Sequence, residues 1–184
     1  MAVENPLSTE SQQLLVKIAR DAIKSHIGDK IPSKFQITDT ALLQKRGAFV
    51  TLRKDGQLRG CIGHIVSDRP LYEIIAEVAA AAATRDARFK CVTLQEMPVI
   101  EIEISVLTPL RCLHRTEEIG IGVDGLYIAH DGQHGLLLPQ VATEHGWDRT
   151  QFLQQTCRKA GLPPDAWQDP QAQIYLFSSE VFQE

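Results

Sequence analysis

The sequence predicts one α+β domain over residues 1–184, built from two similar β-rich and helical halves at about 47–110 and 120–184. Three observations predict it. Apolar residues recur at helical spacing in three separate stretches, and the segments between them have the length and apolar content of strands. The tripeptide Asp-Gly-Gln occurs at Asp55-Gly56-Gln57 and again 76 positions later at Asp131-Gly132-Gln133, with the same order of elements around each copy. At 184 residues and 43% hydrophobic, the chain is long enough for one good core and short for two independent ones.

The first element is a helix over residues 9–26, where Leu14, Leu15, Ile18, Ala19, Ala22 and Ile23 fall on one face. Thr9 with Gln12 matches a capping box, and Gly28 is placed to end the helix. Pro32 interrupts the pattern that follows, with room for a short helical piece at about 41–45. A strand at 49–53, the Asp55 turn and a returning strand at 58–66 make a hairpin. A helix over 70–84 carries Leu71, Ile74, Ile75, Val78, Ala79 and Ala82 on one face, with Pro70 suited to its first turn. A strand at 99–107 closes the first half. The second half repeats the order: strand 126–130, the Asp131 turn, strand 135–141, helix 149–160 stopped by Gly161, and strand 173–182. Two halves that each expose a sheet edge and an apolar face bury both by pairing, which favours one intimate domain and suggests an ancient duplication.

The formal net charge of −4 argues against a whole-protein footprint for DNA or RNA, so nucleic acid is not expected as a partner. Up to Leu110 there are 14 Lys and Arg against 13 Asp and Glu, and beyond it 5 against 10. A solvated surface accounts for so modest a split. The opening Met1–Asn5 has no basic segment followed by an apolar one, and no apolar run approaches the ~20 residues that a membrane span needs. Cys61, Cys91, Cys112 and Cys157 form no CxxC pair. A cytoplasmic protein with reduced thiols and no membrane association is the expectation. The Walker loop, GxGxxG, HExxH and GxSxG are all absent, which removes the common nucleotide-binding and hydrolase templates.

The most distinctive segment is Leu58-Arg59-Gly60-Cys61-Ile62-Gly63-His64. Strand alternation puts Leu58, Ile62 and His64 on one face and Arg59 with Cys61 on the other. A guanidinium beside a thiol raises its thiolate fraction, so Cys61 is the candidate nucleophile or redox thiol, with Arg59 lowering its pKa and Asp86 or His64 assisting. Gly60 and Gly63 bracket the cysteine and allow a kink or a close backbone approach by a ligand. The alternative is a packing cysteine in a strand whose glycines mark bulges. A bulge at either glycine also breaks the face assignment. Asp86 and Arg88 either orient a ligand beside Cys61 or cap the preceding helix and tie down its loop. In the second half, Leu137 stands at the offset of Cys61 and Gly135 at that of Arg59, so thiol and guanidinium occur once.

Arg46-Gly47-Ala48-Phe49-Val50-Thr51-Leu52, followed by Leu58-Arg59-Gly60-Cys61-Ile62-Gly63, resembles the AMMECR-one domain, which also occurs in microbes as protein A of the AmmeMemoRadiSam system. Matches continue in order through Arg85-Asp86-Ala87-Arg88-Phe89, Glu103-Ile104-Ser105-Val106-Leu107-Thr108-Pro109, Gly122-Val123-Asp124-Gly125-Leu126, Leu138-Pro139-Gln140-Val141 and Cys157-Arg158-Lys159-Ala160-Gly161-Leu162. They cover about Leu14 to the C-terminus. The resemblance implies repeated units sharing one curved, mostly antiparallel sheet. It also implies an accessory or interaction role beside a Memo-like protein and a radical S-adenosylmethionine protein, whose genes commonly accompany those of the family. It names no cofactor and no settled catalytic residue. Lys90-Cys91-Val92 departs from the family pattern, where a proline is expected after the Arg-Phe pair.

A metal site needs several of His, Cys, Asp and Glu to converge, and alternation sends Cys61 and His64 apart, so no metal is assigned. Cys157 falls at core spacing on the second-half helix, flanked by Trp147 and Trp167 as packing residues. Two functions remain in competition: an accessory protein acting with those partners, and a thiol-dependent enzyme or redox protein using Cys61.

Overall fold

The computed structural model describes residues 6–184, so the absence of a leader read from residues 1–5 lies outside the described residues. In chain order the elements are α1 (Thr9–Ile27), β1 (Ala48–Lys54), β2 (Gln57–His64), α2 (Leu71–Thr84), β3 (Ile100–Leu107), β4 (Arg111–Cys112), β5 (Gly125–His130), β6 (Gln133–Leu137), α3 (Pro139–His145), α4 (Arg149–Lys159), β7 (Gln173–Phe177) and β8 (Ser179–Gln183), with short 3₁₀ turns between them. None of these helices is long and apolar enough to cross a membrane.

The fold is a mixture of helices and antiparallel pairing, as the sequence predicts, but the expectation of one shared curved sheet is corrected. Among the described residues there are two four-stranded sheets, ordered β2-β1-β3-β8 and β4-β7-β5-β6. The expected single strand over 173–182 is two strands. Ser178 leaves the ladder between them, its N–H donating to Thr108 Oγ1 at 2.8 Å and its carbonyl accepting from the Thr108 N–H at 2.9 Å. β7 pairs with β5 and β4, while β8 joins the sheet of β3.

The chain divides into two compact units, one reaching to Leu107 and including Glu180–Glu184, the other Thr108–Ser179. In the first, α1 and α2 pack on the sheet around Leu15, Ile23, Leu52, Ile75, Ile102 and Ile104, all buried. In the second, Phe152 and Leu153 of α4 pack with Leu126 and Leu176, and Cys157 is fully buried as its spacing requires. Trp147 and Trp167 pack at the margin of that core.

Local signals place most boundaries within a few residues. α1 is capped one residue earlier than expected: Ser8, not Thr9, accepts the Ser11 N–H. Gly28 ends it by donating to the Lys24 carbonyl, and Asp29 takes the left-handed position at φ 51°. The expected strand over 135–141 stops at Leu137, because Pro139 opens α3, which Gly146 closes at φ 65°.

Both hairpin turns have the same backbone. Asp55 and Gly56 sit at φ 51° and 73°, Asp131 and Gly132 at 49° and 76°, the paired left-handed conformations of a type I′ turn. A Cβ on Gly56 or Gly132 meets nothing within 4 Å, so substitution there tests backbone conformation alone. Gly56→Ala and Gly132→Ala should each lower stability by about 1–2 kcal/mol in denaturant unfolding. A change of zero at either position would contradict the turn geometry.

Candidate functional site

The segment around Cys61 is built by β2, which lies at the edge of its sheet. Pairing with β1 runs in register from Ala48↔His64 to Leu52↔Gly60 and then jumps to Arg53↔Leu58, leaving Arg59 unpaired in a β-bulge. Residues across from one another share a face. Leu58 therefore stands with Arg53 and is 37% exposed, which corrects the expectation that it lies with Ile62 on the core face. Ile62 does pack on the core.

The two glycines do different things. A Cβ on Gly60 would lie 2.2 Å from the Ala82 carbonyl oxygen, so only glycine lets α2 pass this close to β2. A Cβ on Gly63 would meet the Phe49 ring at 2.4 Å; the ring of its cross-strand partner lies across the bare backbone.

Three of the predicted site residues come together at the outer edge of β2. The Cys61 N–H donates to Asp86 Oδ2 at 2.9 Å, and the Cys61 carbonyl accepts a long bond from Arg88 at 3.5 Å. Arg88 is itself held by Asp86, through its backbone N–H and through Nε and Nη2 at 2.9 and 2.6 Å. The Asp86 carboxylate is 7% exposed, and the Arg88 guanidinium beside it holds it well below the usual carboxylate range. Asp86 and Arg88 thus offer β2 the acceptor and donor that a neighbouring strand would supply, at the one residue whose side chain is the thiol. Of the two roles open to this pair, tying the loop down is the one with geometry behind it. The Cys61 sulfur, half-buried, accepts a hydrogen bond from Thr51 Oγ1 at 3.3 Å.

Arg59 and His64 lie elsewhere. The Arg59 guanidinium grips Glu96 through Nε at 3.1 Å and Nη2 at 3.2 Å, and it donates to the carbonyls of Lys90 at 2.6 Å and Cys91 at 3.3 Å. The guanidinium that reaches Cys61 is that of Arg88, and it meets the backbone carbonyl. His64 is exposed and turned to Glu77 on α2 at 3.4 Å. Cys91 is exposed, its thiol donating to the Thr84 carbonyl.

Sequence reading missed Glu96 as the partner of Arg59. It accepts from Arg59, from Lys54 Nζ at 3.2 Å, and from the N–H and hydroxyl of Thr93 at 3.0 and 3.1 Å. Arg59 above all lowers its pKa from 4.5 to about 2. The Thr93–Glu96 capping box announces a local turn; the reach from Glu96 to β2 has no local signal. Thr51 was also missed, although its place opposite Cys61 follows from the hairpin register. Among the described residues, no group of three or more His, Cys, Asp or Glu is arranged to hold a metal ion.

Comparison with known proteins gives a consistent picture. A family model described as AMMECR1 matches residues 16–182. A protein of Methanothermobacter thermautotrophicus is 45% identical, with 97% of each chain covered. One from Methanopyrus kandleri is 44% identical over 97% of this chain and 90% of its own length. The crystal structure of an uncharacterized protein from Pyrococcus horikoshii superposes with a TM-score of 0.89 at 39% identity, covering 97% of this chain and 93% of that one.

The two carboxylates bracing β2 make the fold acid-sensitive in a defined direction. Both have pKa values below those of the unfolded chain, so they stabilise above the unfolded pKa, and that stability is lost as pH falls. For Glu96 the loss spans pH 4.5 down to about 2. Glu96→Gln should cost about 1–3 kcal/mol at pH 7 and flatten the acid limb of a stability–pH curve below pH 5. An unchanged acid limb would show that Glu96 is not the titrating group.

Proposed function

The chain belongs to the AMMECR1 family, and on that premise we propose that it is an intracellular accessory protein, acting with Memo-like and radical S-adenosylmethionine partners. The observation that carries the accessory reading is how the polar residues of the Arg-Gly-Cys segment are used. Asp86 holds the Cys61 backbone, Arg59 is clamped to Glu96, and His64 faces Glu77. Asp86 and Arg59, groups that an enzyme would leave free to meet substrate, are here tied into the scaffold. Arg88 faces outward most, with 57% of its side chain exposed and its guanidinium 5.4 Å from the centre of the Phe89 ring. Arginine–aromatic surfaces of this kind are common anchors in protein interfaces. The identity of the partners rests on the family resemblance.

A second reading has an observation of its own. Cys61 keeps a hydroxyl donor on its sulfur and the Arg88 guanidinium at its carbonyl, which suits a nucleophilic or redox thiol. In that reading Thr51, on the sulfur, and Arg88, at the carbonyl, replace Arg59 and His64 as the groups beside Cys61. Gly60, Gly63 and Asp86 then hold the strand in place around it. The matched type I′ turns support the further proposal that the two units descend from one duplicated element within a single domain.

Affinity capture at native concentrations should recover the Memo-like and radical-enzyme partners, and an Arg88→Glu surface variant that keeps its fold should lose them. Repeated capture of neither partner would sink the accessory reading. For the thiol reading, alkylation of native protein followed by peptide mass spectrometry across pH should show Cys61 reacting ahead of exposed Cys91 and Cys112, with a midpoint below the free-thiol value of about 8.5. Silence of Cys61 until unfolding would reduce it to a packing residue.

A further inference from the structure

α1 turns one face away from the core, and that face forms the wall of a cleft that shares no residue with the Cys61 edge. Val16, Lys17 and Lys24 of α1 line it on one side, and Lys34 and Phe35 line it on the other, enclosing an open volume of about 740 Å³. This size lies within the ~300–1,000 Å³ of ordinary small-molecule sites. The far wall is fixed in place: the Asp21 carboxylate accepts the Ser33 N–H at 2.8 Å and the Ser33 hydroxyl at 2.7 Å. The floor is apolar, with Val16 buried and Phe35 packed against the core.

The charges in the cleft do not balance. The Glu184 side chain is ion-paired with Arg20, whose guanidinium also donates to the carbonyls of Met97 and Ile100, while Asp21 is held by the neutral Ser33 and keeps its charge. Lys17, Lys24 and Lys34 have no ion-pair partner among the described residues. Seven residues apart on one helix, Lys17 and Lys24 are separated by about 10 Å along the axis, with Lys34 across from them. Three ammonium groups against one carboxylate that is not ion-paired, beside apolar Val16 and Phe35 in a chain of net charge −4, are a local positive excess rather than the by-product of a basic protein.

We propose that this cleft binds a small organic anion, a phosphate or carboxylate carried on a flat apolar body, with the body on Val16 and Phe35 and the charge among Lys17, Lys24 and Lys34. Phenyl phosphate carries both halves of that chemistry, and inorganic phosphate and benzyl alcohol carry one each. Titration of the ¹⁵N-labelled full chain with phenyl phosphate should give saturable shifts confined to α1 and residues 33–35. Each half-probe should bind about tenfold more weakly or worse. The exposed lysines can be changed without touching the core, so the triple variant Lys17→Gln/Lys24→Gln/Lys34→Gln should remain folded and raise the phenyl phosphate Kd by about tenfold. Shifts that map outside the cleft, an unchanged Kd in the triple variant, or equal affinity for inorganic phosphate would each overturn the proposal.

Discussion

β2 lies at the edge of its sheet, and that position dictates most of what surrounds Cys61. An edge strand presents N–H and C=O groups with no ladder partner on one side, an invitation to unwanted pairing. A backbone group deprived of any partner costs about 1–3 kcal/mol, a sizeable share of a domain's ~5–15 kcal/mol of net stability. The chain answers with side chains. Asp86 takes the Cys61 N–H and Arg88 reaches its carbonyl. The bulge at Arg59 breaks the regularity that an incoming strand would need, and α2 closes in at Gly60.

Residues 86–96 act as a brace along this edge. One carboxylate, Asp86, fixes β2 at Cys61; the other, Glu96, fixes it at Arg59 and reaches β1 through Lys54. Both are largely shielded from water, with side chains 7% and 17% exposed. Desolvation alone would push such groups toward the neutral form. Each instead meets a guanidinium and backbone N–H donors, so the charged form is the one the fold selects. Cys61 is thereby held on a rigid strand by its main chain, while its sulfur accepts a hydrogen bond from Thr51. Rigidity of this kind serves a recognition surface and a reactive thiol equally well, which is why both readings are built on the same few residues.

The parts of this structure legible in sequence are those with short-range causes. Helical spacing reveals α1, α2 and α4, and Asp-Gly at each hairpin reports a left-handed pair directly. Ser8 and Thr9 are adjacent residues of similar capping strength, so the cap slipped by one. The break at Ser178 leaves only a faint signal, the polar Ser178-Ser179-Glu180 between the apolar run Ile174–Phe177 and Val181-Phe182, with no proline or glycine to mark it. α3 was masked by the run Leu136-Leu137-Leu138, although Pro139 and Gly146 mark its ends. At the site, Cys61, Gly60, Asp86 and Arg88 were all visible as residues. Their relation was not, because one unpaired residue in a bulge changes which side chains are neighbours. Glu96 lies 37 positions from Arg59, beyond any local pattern.

The departure of the chain from one sheet at Ser178 bears on the order in which the protein can be made. β3 finishes at Leu107, and the strand that joins it begins at Ser179, so 71 residues must be synthesised in between. At ~5–20 residues per second that is roughly 4–14 s. During that interval the isoleucine-rich β3 has β1 on one side and an open ladder on the other. The N-terminal end waits as well: the Leu7 N–H and the Gln12 amide find their acceptor in Glu180, 173 positions from Leu7. The half of the protein that emerges first from the ribosome is therefore the half that is completed last.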